Sequence, residues 1–128
     1  MKIIVDTSVW IDYLNNRSAS TEMLDQLLLT GKIFIVGPII AELLQGAKTE
    51  KDYRKLENNI DALPFIDCSY KHWVMAGEIS FKQKKKGITI PITDCIIAAI
   101  AISNDASVMT KDRHFNYITQ LKLEKLPE

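Results

Sequence analysis

A chain of 128 residues suits one compact domain, and its 47% hydrophobic and 25% charged content is ordinary for a soluble globular protein. Lysine plus arginine balance aspartate plus glutamate at 16 each, so net charge alone advertises no nucleic-acid partner. No apolar run reaches the roughly 18 residues a membrane helix requires, and Asp6 interrupts the first apolar stretch too early for a signal peptide, so a cytoplasmic protein is expected.

Taken in chain order, Lys2-Ile3-Ile4-Val5 is short, β-branched and apolar, as a buried parallel strand should be. Asp6-Thr7-Ser8 then offers side chains that can cap a helix carrying Val9, Trp10, Tyr13 and Leu14. After a loop over 15–18, Thr21 to Thr30 repeats apolar residues at helical spacing, and Gly31 suits the position just past that helix. Ile33 to Val36 reads as a second buried strand, with Pro38 opening the next helix and Gly46 closing it. Thr49 and Asp52 resemble a capping box, followed by Tyr53, Leu56, Ile60 and Leu63 at helical spacing. Phe65-Ile66 fits a short strand. Ser69 is the expected cap of a long helix to Lys86, with Tyr70, Val74, Gly77 and Phe81 on one face and Gly87 at its end. Thr93 or Asp94 opens the most apolar helix, running to about Ser103. Ser107 to Thr110 is expected as a strand, and Leu121 to Leu123 as a last one at the edge.

Strands alternating with helices predict a single α/β domain spanning residues 1–128, with a mainly parallel sheet flanked by helices on both faces. Cys68 and Cys95 form no Cys-x-x-Cys pair, so both are expected as buried free thiols.

In open α/β sheets ligands bind beyond the carboxyl ends of the strands. Asp6 directly follows the first strand, and Asp112 lies two residues beyond the strand ending near Thr110. Glu42 lies in the first turns of the helix after the second strand, and Asp94 at the start of its own helix. Each acid has a plainer reading: Asp6 and Asp94 as helix caps, Glu42 as one solvated side chain. Against those readings stands the repetition of acids at equivalent strand ends. Two like charges 4 Å apart cost about 4 kcal/mol at an effective dielectric of 20, so a cluster of four recruits a hard divalent cation or keeps some members protonated. Oxygen ligands favour magnesium or manganese, and Ser8 and Thr110 supply nearby hydroxyls to hold the carboxylates.

Val5-Asp6-Thr7-Ser8-Val9-Trp10, Ala41-Glu42-Leu43-Leu44-Gln45-Gly46, Thr93-Asp94-Cys95-Ile96-Ile97-Ala98-Ala99 and Thr110-Lys111-Asp112-Arg113-His114-Phe115 resemble, in order, the four acidic motifs of PIN-domain ribonucleases. They are similar in particular to the VapC toxins of toxin–antitoxin pairs, over residues 3 to about 118. The resemblance implies a PIN-like fold, with Asp6, Glu42, Asp94 and Asp112 as catalytic, metal-binding acids for Mg2+ or Mn2+. The last acidic position is the most variable in that family. The resemblance further implies cleavage of structured RNA such as tRNA or rRNA, a homodimer, and inhibition by a VapB-type antitoxin in a larger assembly, with no membrane partner. An antitoxin Arg or Lys competing with the metal for the carboxylates is chemically reasonable.

Lys111 and Arg113 flank Asp112 and are candidate RNA contacts, as are Lys84 and Lys85 in the basic run 82–86, which also suits the end of a helix. His114 is a candidate general base, although an activated metal-site water needs none. His72 is expected to be structural, in mid-helix. Trp10 and Tyr13 are expected in the core or a dimer interface rather than as platforms for RNA bases. Competing functions are a dehalogenase-type phosphatase, weakened by Ser8 where an Asp-x-Asp pair needs acid, a PIN-like module that binds RNA or protein without cutting, and a metal-dependent DNA nuclease. Dinucleotide and nucleotide-triphosphate sites fail for want of a glycine-rich phosphate loop.

Overall fold

The computed structural model describes residues 1–15 and 19–127, so most of the loop expected over 15–18 lies outside the described residues. Among them, five strands form one sheet: β1 (Lys2–Val5), β2 (Ile33–Val36), β3 (Phe65–Ile66), β4 (Ala106–Met109) and β5 (Lys122–Leu123). Their order is β3-β2-β1-β4-β5, and every neighbouring pair is parallel. Apart from Lys2 and Ser107 the three central strands are built of apolar residues, and almost every side chain is buried, because helices cover both faces of a parallel sheet. β4 begins and ends one residue earlier than the sequence pattern suggests, since Ala106 pairs with Lys2 while Thr110 has already left the ladder.

The chain moves outward from β1 through β2 to β3, then returns past β1 to build β4 and β5. Right-handed crossovers therefore put α1 (Thr7–Leu14), α2 (Thr21–Leu29), α3 (Gly37–Gln45) and α4 (Glu50–Asp61) on one face, and α5 (Tyr70–Lys85) and α6 (Ile92–Ser103) on the other. The order reverses between β1 and β4, the kind of switch point where such sheets open a crevice for ligands. Val5 is paired with Met109, so Asp6 and Thr110 leave adjacent strand ends side by side.

Local chemistry sets the element ends. Gly31 and Gly87 adopt φ of +71° and +81° just after α2 and α5, a conformation that favours glycine. Pro38 sits in the first turn of α3, and the Thr49 hydroxyl accepts the Asp52 N–H at 3.0 Å to cap α4. His72 lies in the first turn of α5 rather than at its middle. Its Nδ1 accepts the Ser69 N–H at 2.8 Å, taking the part an acidic residue plays in a capping box, and burial lowers its pKa. The imidazole is thus neutral and structural.

The core gathers Ile3, Ile4, Ile35, Val108 and Met109 of the sheet with Ile97 and Ile100 of α6 and the enclosed ring of Phe115. One expectation is corrected here. Cys95 is buried, but Cys68 is only half-buried. On α5 the face carrying Tyr70, Val74 and Phe81 points to solvent, together with Trp73 and Gly77, while His72, Ala76, Ser80 and Gln83 are buried. α5 packs closely on α6, and small or polar side chains on the inner face permit that approach. The larger apolar side chains are left outside.

Candidate metal centre

β1 runs directly into α1 at Asp6, whose backbone N–H donates to the Met109 carbonyl at 2.9 Å and whose carbonyl receives the first N–H groups of the helix. The Asp6 side chain is buried but does not cap α1. Its Oδ2 instead accepts the Thr110 hydroxyl at 2.7 Å and the Ser8 hydroxyl at 3.2 Å. Thr110 Oγ1 in turn accepts the Asp112 N–H at 2.9 Å, and Ser8 Oγ accepts the Lys111 N–H at 3.3 Å. Two hydroxyls thereby tie the end of β1 to the chain leaving β4, and they hold one carboxylate between them.

α6 starts after Pro91, two residues before Asp94, so Asp94 occupies the third helical position and makes no capping bond. Its carboxylate turns toward Asp112, which caps the 3-10 helix Arg113–Tyr117 by accepting the His114 N–H on Oδ1 at 3.0 Å. The His114 ring comes with it. Nδ1 lies 2.8 Å from Asp112 Oδ1 and 3.4 Å from Asp94 Oδ2. One ligand atom each from Asp94, Asp112 and His114 fall within 4.8 Å of one another. The Asp94 carboxyl is pushed up to about 6, first by burial, then by the negative charges of Asp112 and Asp6, with His114 opposing.

Glu42 sits half-buried on α3, outside that tight cluster. Its Oε1 accepts the Thr7 hydroxyl at 3.3 Å, and Thr7 adjoins Asp6. The structure therefore draws Asp94 and Asp112 together, links Asp6 to them through Thr110 and through charge, and leaves Glu42 one side chain away. His114 joins the cluster as a neighbour that the sequence pattern assigned only to proton transfer. Its signal was local: a tight turn capped by Asp112 folds residue 114 back over its own cap.

The basic candidates divide. Lys111 is ion-paired with Asp12 of α1, and Arg113 is exposed. Lys84 and Lys85 lie exposed at the end of α5, Lys85 with its ammonium 5.0 Å from the Phe81 ring centre. Lys84 borders the opening of α6 closely enough to oppose the rise of the Cys95 thiol, which burial and then Asp94 push up.

The sequence model of the PIN domain family matches residues 3–121. The chain belongs to the PIN-domain family. Ribonuclease VapC11 of Mycobacterium tuberculosis is 30% identical over 125 residues, covering 93% of this chain and 92% of that protein. Ribonuclease VapC2 of Rickettsia felis is 30% identical over 130 residues, covering 97% of each. The crystal structure of VapBC2 from Rickettsia felis, bound to a fragment of its promoter DNA, contains a chain that superposes with a TM-score of 0.82 at 29% identity, covering 99% of this chain and all of that one.

PIN-domain nucleases generally depend on a divalent metal ion. The donors present in this PIN domain fit one. Two carboxylates and an imidazole converge on a small volume, the charges of Asp112 and Asp6 add to burial in holding the Asp94 carboxyl at about 6, and His114 Nδ1 is shielded from solvent with only carboxylate oxygens near it.

Proposed function

We propose that this PIN domain is a divalent-metal-dependent endoribonuclease of the VapC type, hydrolysing phosphodiester bonds in structured RNA such as tRNA or rRNA. Asp6, Glu42, Asp94 and Asp112 are its catalytic, metal-binding acids. The observation that carries this reading is the crowding of Asp94 by Asp112 and Asp6 at the sheet's switch point, a repulsion that a magnesium or manganese ion relieves. When bound, that ion supplies an activated water and offsets charge on the phosphate under attack. The chain's own contribution is preorganisation. Thr110 and Ser8 fix the Asp6 carboxylate, the Asp112 side chain is fixed by the His114 N–H, and Thr7 steadies Glu42. Arg113 and the α5 lysines hold the phosphate backbone, with Lys111 available once it leaves Asp12.

A VapB-type antitoxin restrains the activity. Between α1, α2, α3 and α4 lies an apolar groove of about 330 Å³, walled by Trp10, Tyr13, Leu28, Leu43, Leu56 and Leu63. Leu43 adjoins Glu42, and the buried Trp10 indole N–H meets no acceptor among the described residues, which suits a peptide laid in the groove. The outward stripe of Tyr70, Trp73, Val74 and Phe81 on α5 is the self-association surface of a homodimer.

The test is cleavage of an end-labelled structured RNA and of a matched DNA, with magnesium or with chelator. The wild type should cut RNA only when metal is present, and Asp6→Asn and Asp94→Asn should abolish cutting while circular dichroism stays native. Full activity in Asp6→Asn refutes the site, and equal cutting of the DNA refutes the substrate class.

A further inference from the structure

The imidazole of His114 does something that the carboxylates around it do not. Its Nδ1 is withdrawn from solvent and faces two carboxylate oxygens, Asp112 Oδ1 at 2.8 Å and Asp94 Oδ2 at 3.4 Å. One ligand atom each of Asp94, Asp112 and His114 lies within 4.8 Å of the other two, near enough for all three to face one shared ion. The spacing agrees: bonds of about 2.1 Å to an octahedral ion put adjacent ligand atoms about 3 Å apart. The ring is also held in place by its backbone. The His114 N–H is bonded to Asp112 at 3.0 Å, and the next residue, Phe115, is locked in the core.

We propose, resting on the metal-dependent reading above, that His114 Nδ1 is a nitrogen ligand of the cation held by Asp94 and Asp112, and that it biases this centre toward manganese over magnesium. Carboxylate and water ligands suit both ions, whereas imidazole suits transition metals, and magnesium gives up its water reluctantly. Neutral imidazole with its proton on Nε2 presents the Nδ1 lone pair to the ion. The far edge of the ring, on a side chain 43% exposed, leaves Nε2–H to water or to a phosphate oxygen.

Pulsed electron paramagnetic resonance of the full chain loaded with Mn2+ reads the bond directly. The wild type should show 14N modulation from a bound imidazole, shifting to the 15N pattern when histidine is isotopically labelled. The chain has two histidines, and His72 is buried as a helix cap, so the label reports His114. His114→Ala should lose the modulation, and by calorimetry its Mn2+ affinity should fall by about tenfold or more while its Mg2+ affinity changes by less than about threefold. The labelled wild-type spectrum needs no substitution, so a misfolded variant does not spare the idea. Mn2+ bound to the wild type and displaced by Asp94→Asn, but without nitrogen modulation, overturns the ligand assignment and leaves the metal-dependent reading standing. An unchanged Mn2+-to-Mg2+ preference in His114→Ala overturns the selectivity. Failure of Mn2+ to bind the wild type at all overturns the parent reading with it.

Discussion

Replacing Asp94 by asparagine should make the metal-free protein more stable and the metal-loaded protein less so. In the folded chain the Asp94 carboxyl is raised from 3.8 to about 6, by burial first and then by Asp112 and Asp6. The folded state thus holds this proton more tightly than the unfolded state. The cost of ionising Asp94 is absent below about pH 4, grows as pH rises toward 6, and is fully present above that. Every tenfold difference in proton affinity is worth about 1.4 kcal/mol, and screening at the partly open rim reduces the total to about 1–2 kcal/mol. For a domain of this size the asparagine variant should unfold roughly 3–8 °C higher than the wild type near pH 7.5 in chelator, with the gap closing near pH 4.5. Millimolar Mn2+ should raise the melting temperature of the wild type and leave the variant where it was. Calorimetric melts at the two pH values, with and without metal, make the comparison. A variant no more stable than the wild type near pH 7.5, or a gap that ignores pH, would refute the claim that the acids repel one another in the empty fold.

Thr110→Val removes the hydroxyl bonded to Asp6 at 2.7 Å and leaves the Asp112 N–H without its acceptor, so it should cost about 1–3 kcal/mol and weaken Mn2+ binding by roughly 10- to 100-fold, read by denaturant melts and calorimetry. Trp73→Glu places a charge in the exposed stripe of α5 and should shift the chain from dimer to monomer in sedimentation velocity while its circular dichroism is unchanged. The double substitution Lys84→Glu and Lys85→Glu should weaken RNA binding uniformly across sequences and lower the slope of log affinity against log salt by about one to two.

Most of the sheet was legible in the sequence because parallel strands buried on both faces must be continuously apolar, as Ile3-Ile4-Val5 and Ile33 to Val36 are. The carboxylates at strand ends were legible for a topological reason: Asp6 and Asp112 follow strands that turn out to be neighbours at the switch point. What stayed hidden depends on contacts between distant residues. Thr110 was legible as a hydroxyl beside the acids, though not that it bonds Asp6, 104 positions away, while the pairing of Lys111 with Asp12 across 99 positions leaves no local pattern at all. Helical periodicity grouped Tyr70, Val74, Gly77 and Phe81 on one face of α5 but did not tell whether that face lies inside. The face with the larger apolar groups is left outside, while Ala76 and Ser80 allow α6 to come close. His72 was read as structural, but its bond to the Ser69 N–H was not foreseen, because histidine seldom closes a capping box.

The claim on which the whole account turns is that one divalent cation sits where β1 and β4 end. Anomalous diffraction from crystals of the protein soaked in manganese locates such an ion without reference to activity. A strong peak should lie between Asp94, Asp112 and Asp6 in the wild type and be absent from Asp94→Asn crystals treated alike. A wild-type map with no peak at that rim, or with manganese only on remote surface carboxylates, would contradict it.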